Sequence, residues 1–183
     1  VTFGFHGSFA KTYKAHGTDR ALVAGVLGME PDDEKLKDSF NIAKTCGLIV
    51  DFTEVDLGYE HPNTAVMKFQ YPGGNEVNVV GSSIGGGNIL ITQIDGHEVE
   101  ISVRYPTLFI KHNDRHGTIN RVTSVLARHK VNIATMSVSR KGRGQEACMV
   151  IEMDHQVSEE ILREIEDLAD IISVRPIKGC GDV

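Results

Sequence analysis

Residues 107–140 read TLFIKHNDRHGTINRVTSVLARHKVNIATMSVSR, and the pattern in them decides the fold of the second half of the chain. Thr107 to Asn113 is a short apolar strand that "DRHG" interrupts. From Thr118 to Lys130 the apolar residues Ile119, Val122, Val125 and Leu126 recur at helical spacing. In "VNIATMSVSR", Ile133, Thr135, Ser137 and Ser139 alternate against Ala134, Met136 and Val138, as in a half-buried strand. A Gly-bearing tip at Lys141 to Gly144 leads into "EACMVIEMD", a second strand joined by a hairpin. Ser158, Glu159 and Glu160 supply an acidic helix start, and Ile161, Ile165 and Leu168 its buried face. "IISVRPI" closes as another strand. The order βαββαβ is the split arrangement of ferredoxin-like domains.

Working outward, the first hundred residues are also mixed α and β, in a different pattern. A strand over Val1 to Phe5 meets a loop, and a helix follows from about Thr18 to Leu27. Asp32 begins another helix with Leu36, Phe40 and Ala43 on one face, and Gly47 is placed as its C-cap. Strand-like runs come at "LIVDFTEV", "TAVMKFQY", "EVNVVGSSI", "NILITQI" and "EVEISV", with "YPGGNE" and "IDGHE" as turns. Short strands after two helices favour an antiparallel α+β sheet over a doubly wound one. The seam lies near Tyr105-Pro106, giving expected domains 1–104 and 105–178 and a tail over 179–183.

Composition narrows the function classes. The 183 residues are 40% hydrophobic with a net charge of -6, and the pI is about 5.7. An acidic chain is poorly suited to phosphate backbones, so no nucleic-acid partner is expected. The basic cluster Arg140-Lys141-Gly142-Arg143 reads as a solvated hairpin tip. No apolar run approaches the roughly 20 residues of a membrane span, and no secretory leader pattern is present, so a cytoplasmic protein without a membrane partner is expected. Cys46, Cys148 and Cys180 are too few and too scattered for a disulfide framework, a structural zinc site or an iron-sulfur cluster held by this chain alone.

Three places carry chemistry-bearing residues. In "GSFAKTYKAHGTDRA", residues 7–21, Thr18 reads as a helix N-cap with Asp19 at the first helical position, which explains both without a function. His16 and Gly17 lie just outside that N-terminus, where an imidazole can shuttle a proton or meet a carboxylate. "GSSIGGGN", residues 81–88, reads either as a flexible hairpin or as a place where something approaches the backbone closely. It matches neither a dinucleotide fingerprint nor a P-loop. In the ferredoxin-like half, His112, Asn113, Asp114, Gly117 and Asn132 fall at element ends that the topology is expected to bring together around a small polar ligand such as an amino acid. Asp114 as a cap and Asn132 as a turn residue explain the same pattern. His6, His61, His97, His116, His129 and His155 read as surface or turn residues.

The segments "GSFAKTYKAHGTDRALVAGVLG", "EHPNTA", "SIGGGNILITQIDG" and "HNDRHGTINRVTSVLARHKVNIATMSVSR" together resemble the β subunit of bacterial iron-sulfur-dependent L-serine dehydratases over nearly the whole chain. The resemblance implies an allosteric substrate-binding-like domain, shared with some D-3-phosphoglycerate dehydrogenases, followed by an ACT domain. It implies a lyase that converts L-serine to pyruvate and ammonia with an α subunit holding a [4Fe-4S] cluster. It assigns His16, Thr18 and Asp19 to the catalytic face, and Gly7, Ser8, Ser83, Gly85 and Gly86 to substrate binding. His112, Asn113, Asp114, Gly117, Asn132 and Ile133 would bind L-serine or another small amino acid as effector. Asp114 departs from the asparagine of related ACT domains: a carboxylate accepts from an ammonium but repels a carboxylate.

The family's chains also carry, upstream, a Pro-Ser-Ser-Ser-His-Thr stretch that contacts substrate, and this sequence starts beyond that point. Catalysis is therefore expected to need that segment as well as the α subunit. A homodimer through the ACT domains is a further implication. Two other readings are an amino-acid-sensing module of the phosphoglycerate dehydrogenase kind without catalysis, and a metal hydrolase built on His16 and Asp19.

Overall fold

A computed structural model describes residues 1–180 and divides into two units, Val1–Asp95 and the residues from Gly96 onward. Residues 181–183 of the expected tail lie outside the described residues. None of the described helices is long and apolar enough to cross a membrane.

The first unit contains β1 (Thr2–Phe5), α1 (Gly7–Thr12), α2 (Thr18–Val26), a 3-10 turn (Glu34–Asp38), α3 (Ser39–Thr45), β2 (Asp51–Glu54), β3 (Thr64–Gln70), β4 (Glu76–Gly85) and β5 (Asn88–Ile94). Its strands lie in the order β2-β1-β3-β4-β5. The pairs β1–β3, β3–β4 and β4–β5 are antiparallel, as the strand pattern predicts. The pair β1–β2 is parallel, which the helical crossover between them permits.

Strand alternation then sorts β1 into two faces. Phe3 and Phe5 are fully buried and stack on Phe52, while Tyr13 stacks on Phe5 with ring centroids 4.4 Å apart. With Val23, Ala43 and Ala65 they form the helix-covered core. Each such aromatic contributes roughly 1.5–3 kcal/mol by burial. Gly4 and His6 point the other way. A side chain at Gly4 would meet Val55 Cγ1 at 2.8 Å, so the Val55 segment crosses that second face.

Two local expectations change. The stretch after β1 is helical rather than a loop, because Gly7 turns the chain at φ 59° and Phe9 then packs edge-on against Phe5. The helix expected from Asp32 starts as the 3-10 turn, capped by Asp33 through Lys35 N–H at 2.8 Å. Gly47 follows the last helical turn at φ 73° and lets Leu48 N–H reach Ala43 O at 2.9 Å.

The second unit opens with β6 (His97–Ile101) and continues through β7 (Thr107–Asn113), α4 (Thr118–Arg128), β8 (Ile133–Arg140), β9 (Glu146–Met153), α5 (Glu159–Glu166) and β10 (Ile171–Ile177). The order β10-β7-β9-β8 is the ferredoxin-like sheet that residues 107–177 predict. Leu108, Ile110, Val122, Leu126, Met149 and Ile151 meet in a core without solvent contact. Ser158 Oγ accepts from Ile161 N–H and starts α5, as its sequence predicts. The simple alternation expected in β8 breaks at a register shift between Ile133 and Thr135. The additional residue lets Ile133 and Met136 both reach the core, while Ala134, Thr135, Ser137 and Val138 are exposed.

Candidate functional site

In the first unit the polar residues gather at one end of the sheet. Phe5 pairs with Ala65, so His6 comes opposite Thr64, and its N–H donates to Thr64 O at 3.0 Å. Thr64 is in turn opposite Ser82. His6, Thr64 and Ser82 therefore form a row across β1, β3 and β4, with relative exposures of 9%, 0% and 4%. Thr64 Oγ1 donates to His61 O at 2.6 Å, which leaves Ser82 Oγ to donate to Thr64 Oγ1 at 2.7 Å. Burying hydroxyls costs stability unless they are paired, and here each proton has an acceptor.

The expected substrate residues Gly7, Ser8 and Ser83 meet at this end. A side chain at Gly7 would lie 2.7 Å from Pro62 O. Ser8 Oγ donates to Pro62 O and, in a short contact, to Asn63 Oδ1. Ser83 N–H donates to Asn63 O at 3.0 Å. Gly85, Gly86 and Gly87 have φ of 90°, 61° and 76° in an exposed turn between β4 and β5, so their backbone conformation alone accounts for the glycines.

His16 is exposed on the turn between α1 and α2, and its ring has no hydrogen-bond partner among the described residues. Three backbone bonds define that turn: His16 N–H to Thr12 O, Gly17 N–H to Lys14 O and Thr18 N–H to Tyr13 O. Thr18 is not the N-cap. That position belongs to Gly17 at φ 68°, Thr18 starts the helix, and Asp19 follows one position later than expected with Oδ1 accepting from Arg20 N–H.

In the second unit, His112 is 2% exposed at the end of β7. Its Nδ1 lies 2.9 Å from Asn113 O, which can only accept, so the ring proton sits on Nδ1. In the neutral ring Nε2 is then an acceptor, buried and without a partner among the described residues. Asn113 is exposed, and its N–H donates to Asp170 O. Asp114 does not cap α4; Gly117 does, at φ 81°. The Asp114 carboxylate instead accepts from Gly144 N–H at 3.0 Å and Arg140 at 3.2 Å. The Gly144 bond foremost, aided by Arg140, holds its carboxyl below the usual carboxylate range. The basic hairpin tip is thus tied down at Arg140, and at Lys141 by Glu146 at 3.2 Å.

Asn132 and Ile133 are not neighbours of His112 within one chain. His112 and Arg140 flank Ala147, whereas Ile133 pairs with Met153 at the other end of β9. At about 3.3 Å per residue the two ends are roughly 20 Å apart. The element termini do not form one cluster, because β7 and β8 run the same way and the end of one is remote from the start of the other. Asn132 Nδ2 donates instead to Asp154 Oδ2 at 2.8 Å, beside a 430 Å³ hollow lined by His129, Val131 and Ser158.

Three of the histidines expected at the surface or in turns have partners remote in sequence. His6 is buried, and its Nδ1 accepts from Leu57 N–H at 3.1 Å. His97 is buried against Phe109, with Nε2 2.6 Å from Glu146. His129 Nε2 lies 2.6 Å from Glu164, which also pairs with Arg128. Their carboxylate and backbone partners are remote in sequence, so no i, i+4 pattern marks them.

Among the described residues no group of three His, Cys, Asp or Glu could hold a metal. Cys46 and Cys180 are exposed, and Cys148 is buried with Sγ 3.1 Å from Ser139 Oγ. The donors among the described residues do not fit an iron-sulfur cluster.

A family model described as the ACT domain matches residues 106–170. The chain is 41% identical over 177 residues to a probable L-serine dehydratase beta chain of Bacillus subtilis, covering 97% of this chain and 80% of that one. It is 41% identical over 162 residues to the L-serine dehydratase beta chain of Peptoniphilus asaccharolyticus, covering 88% and 73%. It is 37% identical over 100 residues to a D-3-phosphoglycerate dehydrogenase of Methanocaldococcus jannaschii, covering 55% of this chain and 19% of that protein. With its two units and its ACT domain, the chain belongs to the family of L-serine dehydratase beta chains.

Proposed function

We propose that the chain works in the cytoplasm with an α subunit, residues 1–104 completing the substrate site and residues 105–178 sensing a small amino acid. The match across 97% of the chain to a dehydratase beta chain is the observation that carries this reading. Exposed free thiols at Cys46 and Cys180 suit a reducing compartment.

In this reading His16 transfers the α proton. Its support is an exposed imidazole, free of side-chain partners among the described residues, on a turn held by backbone hydrogen bonds. Thr18 and Asp19 shape that face, and Gly7, Ser8, Ser83, Gly85 and Gly86 contact the substrate. A [4Fe-4S] cluster held by the α subunit would supply Lewis-acid chemistry at the leaving hydroxyl. Anaerobic reconstitution with the α subunit, followed by pyruvate formation, tests the proposal. His16→Ala is expected to lower kcat by about 10²-fold or more. Unchanged turnover would remove His16 from the mechanism.

For the sensor, the buried bare Nε2 of His112 accepts from the ligand's ammonium, beside Asn113, Asp114 and Gly117. Asn132 and Ile133 come from a second copy. Among the described residues the strand β8 is an edge of its sheet, and two such edges paired antiparallel put the start of one β8 beside the end of the other. That geometry supports a homodimer with each effector site shared. Titration calorimetry with L-serine should show weaker binding for Asn132→Ala in a chain that remains folded. Equal affinity for mutant and parent refutes the shared site.

A further inference from the structure

His6 takes no part in the chemistry described so far, yet it is the buried imidazole at the substrate end of the first sheet. In the first unit the buried polar residues are His6, Ser39, Thr64 and Ser82, and all but Ser39 belong to the transverse row. A fold has no packing reason to place three polar side chains side by side where apolar ones would fill the space without desolvation cost.

The protonation pattern of the ring follows from its partners. Leu57 N–H can only donate, and it lies 3.1 Å from Nδ1, so Nδ1 accepts. The contacts of Nδ1 with Val55 O at 3.4 Å and Asp56 Oδ1 at 3.9 Å are then too long to hold a proton there. The neutral ring must carry its proton on Nε2. That atom has no partner among the described residues and is absent from the fully enclosed orphans, so it reaches the surface through the side chain's 11% exposure.

We infer that His6 is a substrate-binding residue of the dehydratase, donating from Nε2 to the carboxylate of the bound amino acid. The inference rests on the reading of the Gly7, Ser8 and Ser83 end as the substrate face. A donor held in one tautomer recognises an acceptor, and the carboxylate is the amino acid's strongest acceptor. The carboxylate keeps its charge while the α proton and hydroxyl leave, so this bond stabilises ground state and transition state alike. Loss of such uniform binding raises KM and leaves kcat in place.

The test uses the reconstituted α–β enzyme. His6→Asn keeps an acceptor for Leu57 N–H but is too short to reach the substrate, and KM for L-serine should rise about 10- to 100-fold with kcat nearly unchanged. His6→Gln extends an amide N–H to where Nε2 lies and should recover much of that loss. Leu57→Pro deletes the N–H that sets the tautomer while leaving the imidazole in place, and should raise KM several-fold, which keeps the idea testable if His6→Asn does not assemble. An unchanged KM in His6→Asn, a fall in kcat at constant KM, or a glutamine variant no better than asparagine overturns the assignment. Ser8→Ala separates the two levels. If it raises KM while His6→Asn does not, His6 is structural and the substrate face stands; if neither changes KM, the substrate face itself is misplaced.

Discussion

Each unit places a buried histidine at or just beyond the end of an interior strand, and the two rings are wired oppositely. At His6 a backbone N–H occupies Nδ1 and leaves a donor. At His112 a backbone carbonyl occupies Nδ1 and leaves an acceptor. The same residue type at the ends of two strands is thus set to meet opposite partners, and in the functions proposed above these are the carboxylate of an amino acid at the first and its ammonium at the second. The selecting element is one main-chain group, supplied by Leu57 in one case and Asn113 in the other.

The largest effect that can sharpen this contrast concerns the residue after each histidine. Gly7→Ala should destabilise by about 3 kcal/mol or more, because φ is 59° and the new methyl would lie 2.7 Å from Pro62 O. Asn113→Ala, exposed after His112, should move the urea midpoint little. Leucine at the two histidines comes next. His6→Leu strands Leu57 N–H and should cost about 1–3 kcal/mol, whereas His112→Leu removes an unpaired buried nitrogen and should stay within about 1 kcal/mol of the parent. Equal losses would break the comparison. His112→Leu should still abolish calorimetric heat from L-serine.

Smaller again is Asp114→Asn, which keeps an acceptor for Gly144 N–H and drops the attraction to Arg140. Amide exchange at residues 141–145 should quicken while the thermal midpoint barely moves. The smallest effect is electrostatic. The hydrogen bond from His97 foremost, then Lys141, holds the Glu146 carboxyl below its usual range. A depressed carboxyl stabilises the fold above its unfolded value of about 4.3, and that stabilisation is lost as pH falls through the folded value. The stability gap between parent and Glu146→Gln should therefore be widest above about pH 5 and close in acid. A gap independent of pH would assign Glu146 a packing role.

Local rules made the second unit legible: helical spacing around Val122 and Leu126, the Ser158 cap, and a hairpin between two strands. They also located β3, β4 and β5 and the Gly47 helix end. What stayed hidden depends on register. That His6 lies beside Thr64 and Thr64 beside Ser82 follows only once β1, β3 and β4 are aligned, and no short-range pattern states that alignment. The phase of β8 was lost to one additional residue near Ala134. The separation of Asn132 from His112 needed strand direction, which a list of element ends omits. For His6 a signal was present: it follows Phe3 and Phe5 on the alternate phase of β1, a polar residue where a two-faced strand would bury another apolar one.

The clamp at Asp114 bears on how this sensor could evolve. Its carboxylate fastens the loop that carries Arg140 and Gly144, so the side chain proposed to meet the effector is also a hinge pin. An exchange to asparagine would retune ligand preference and loop mobility in one stroke, which couples what the domain recognises to how tightly its rim is held.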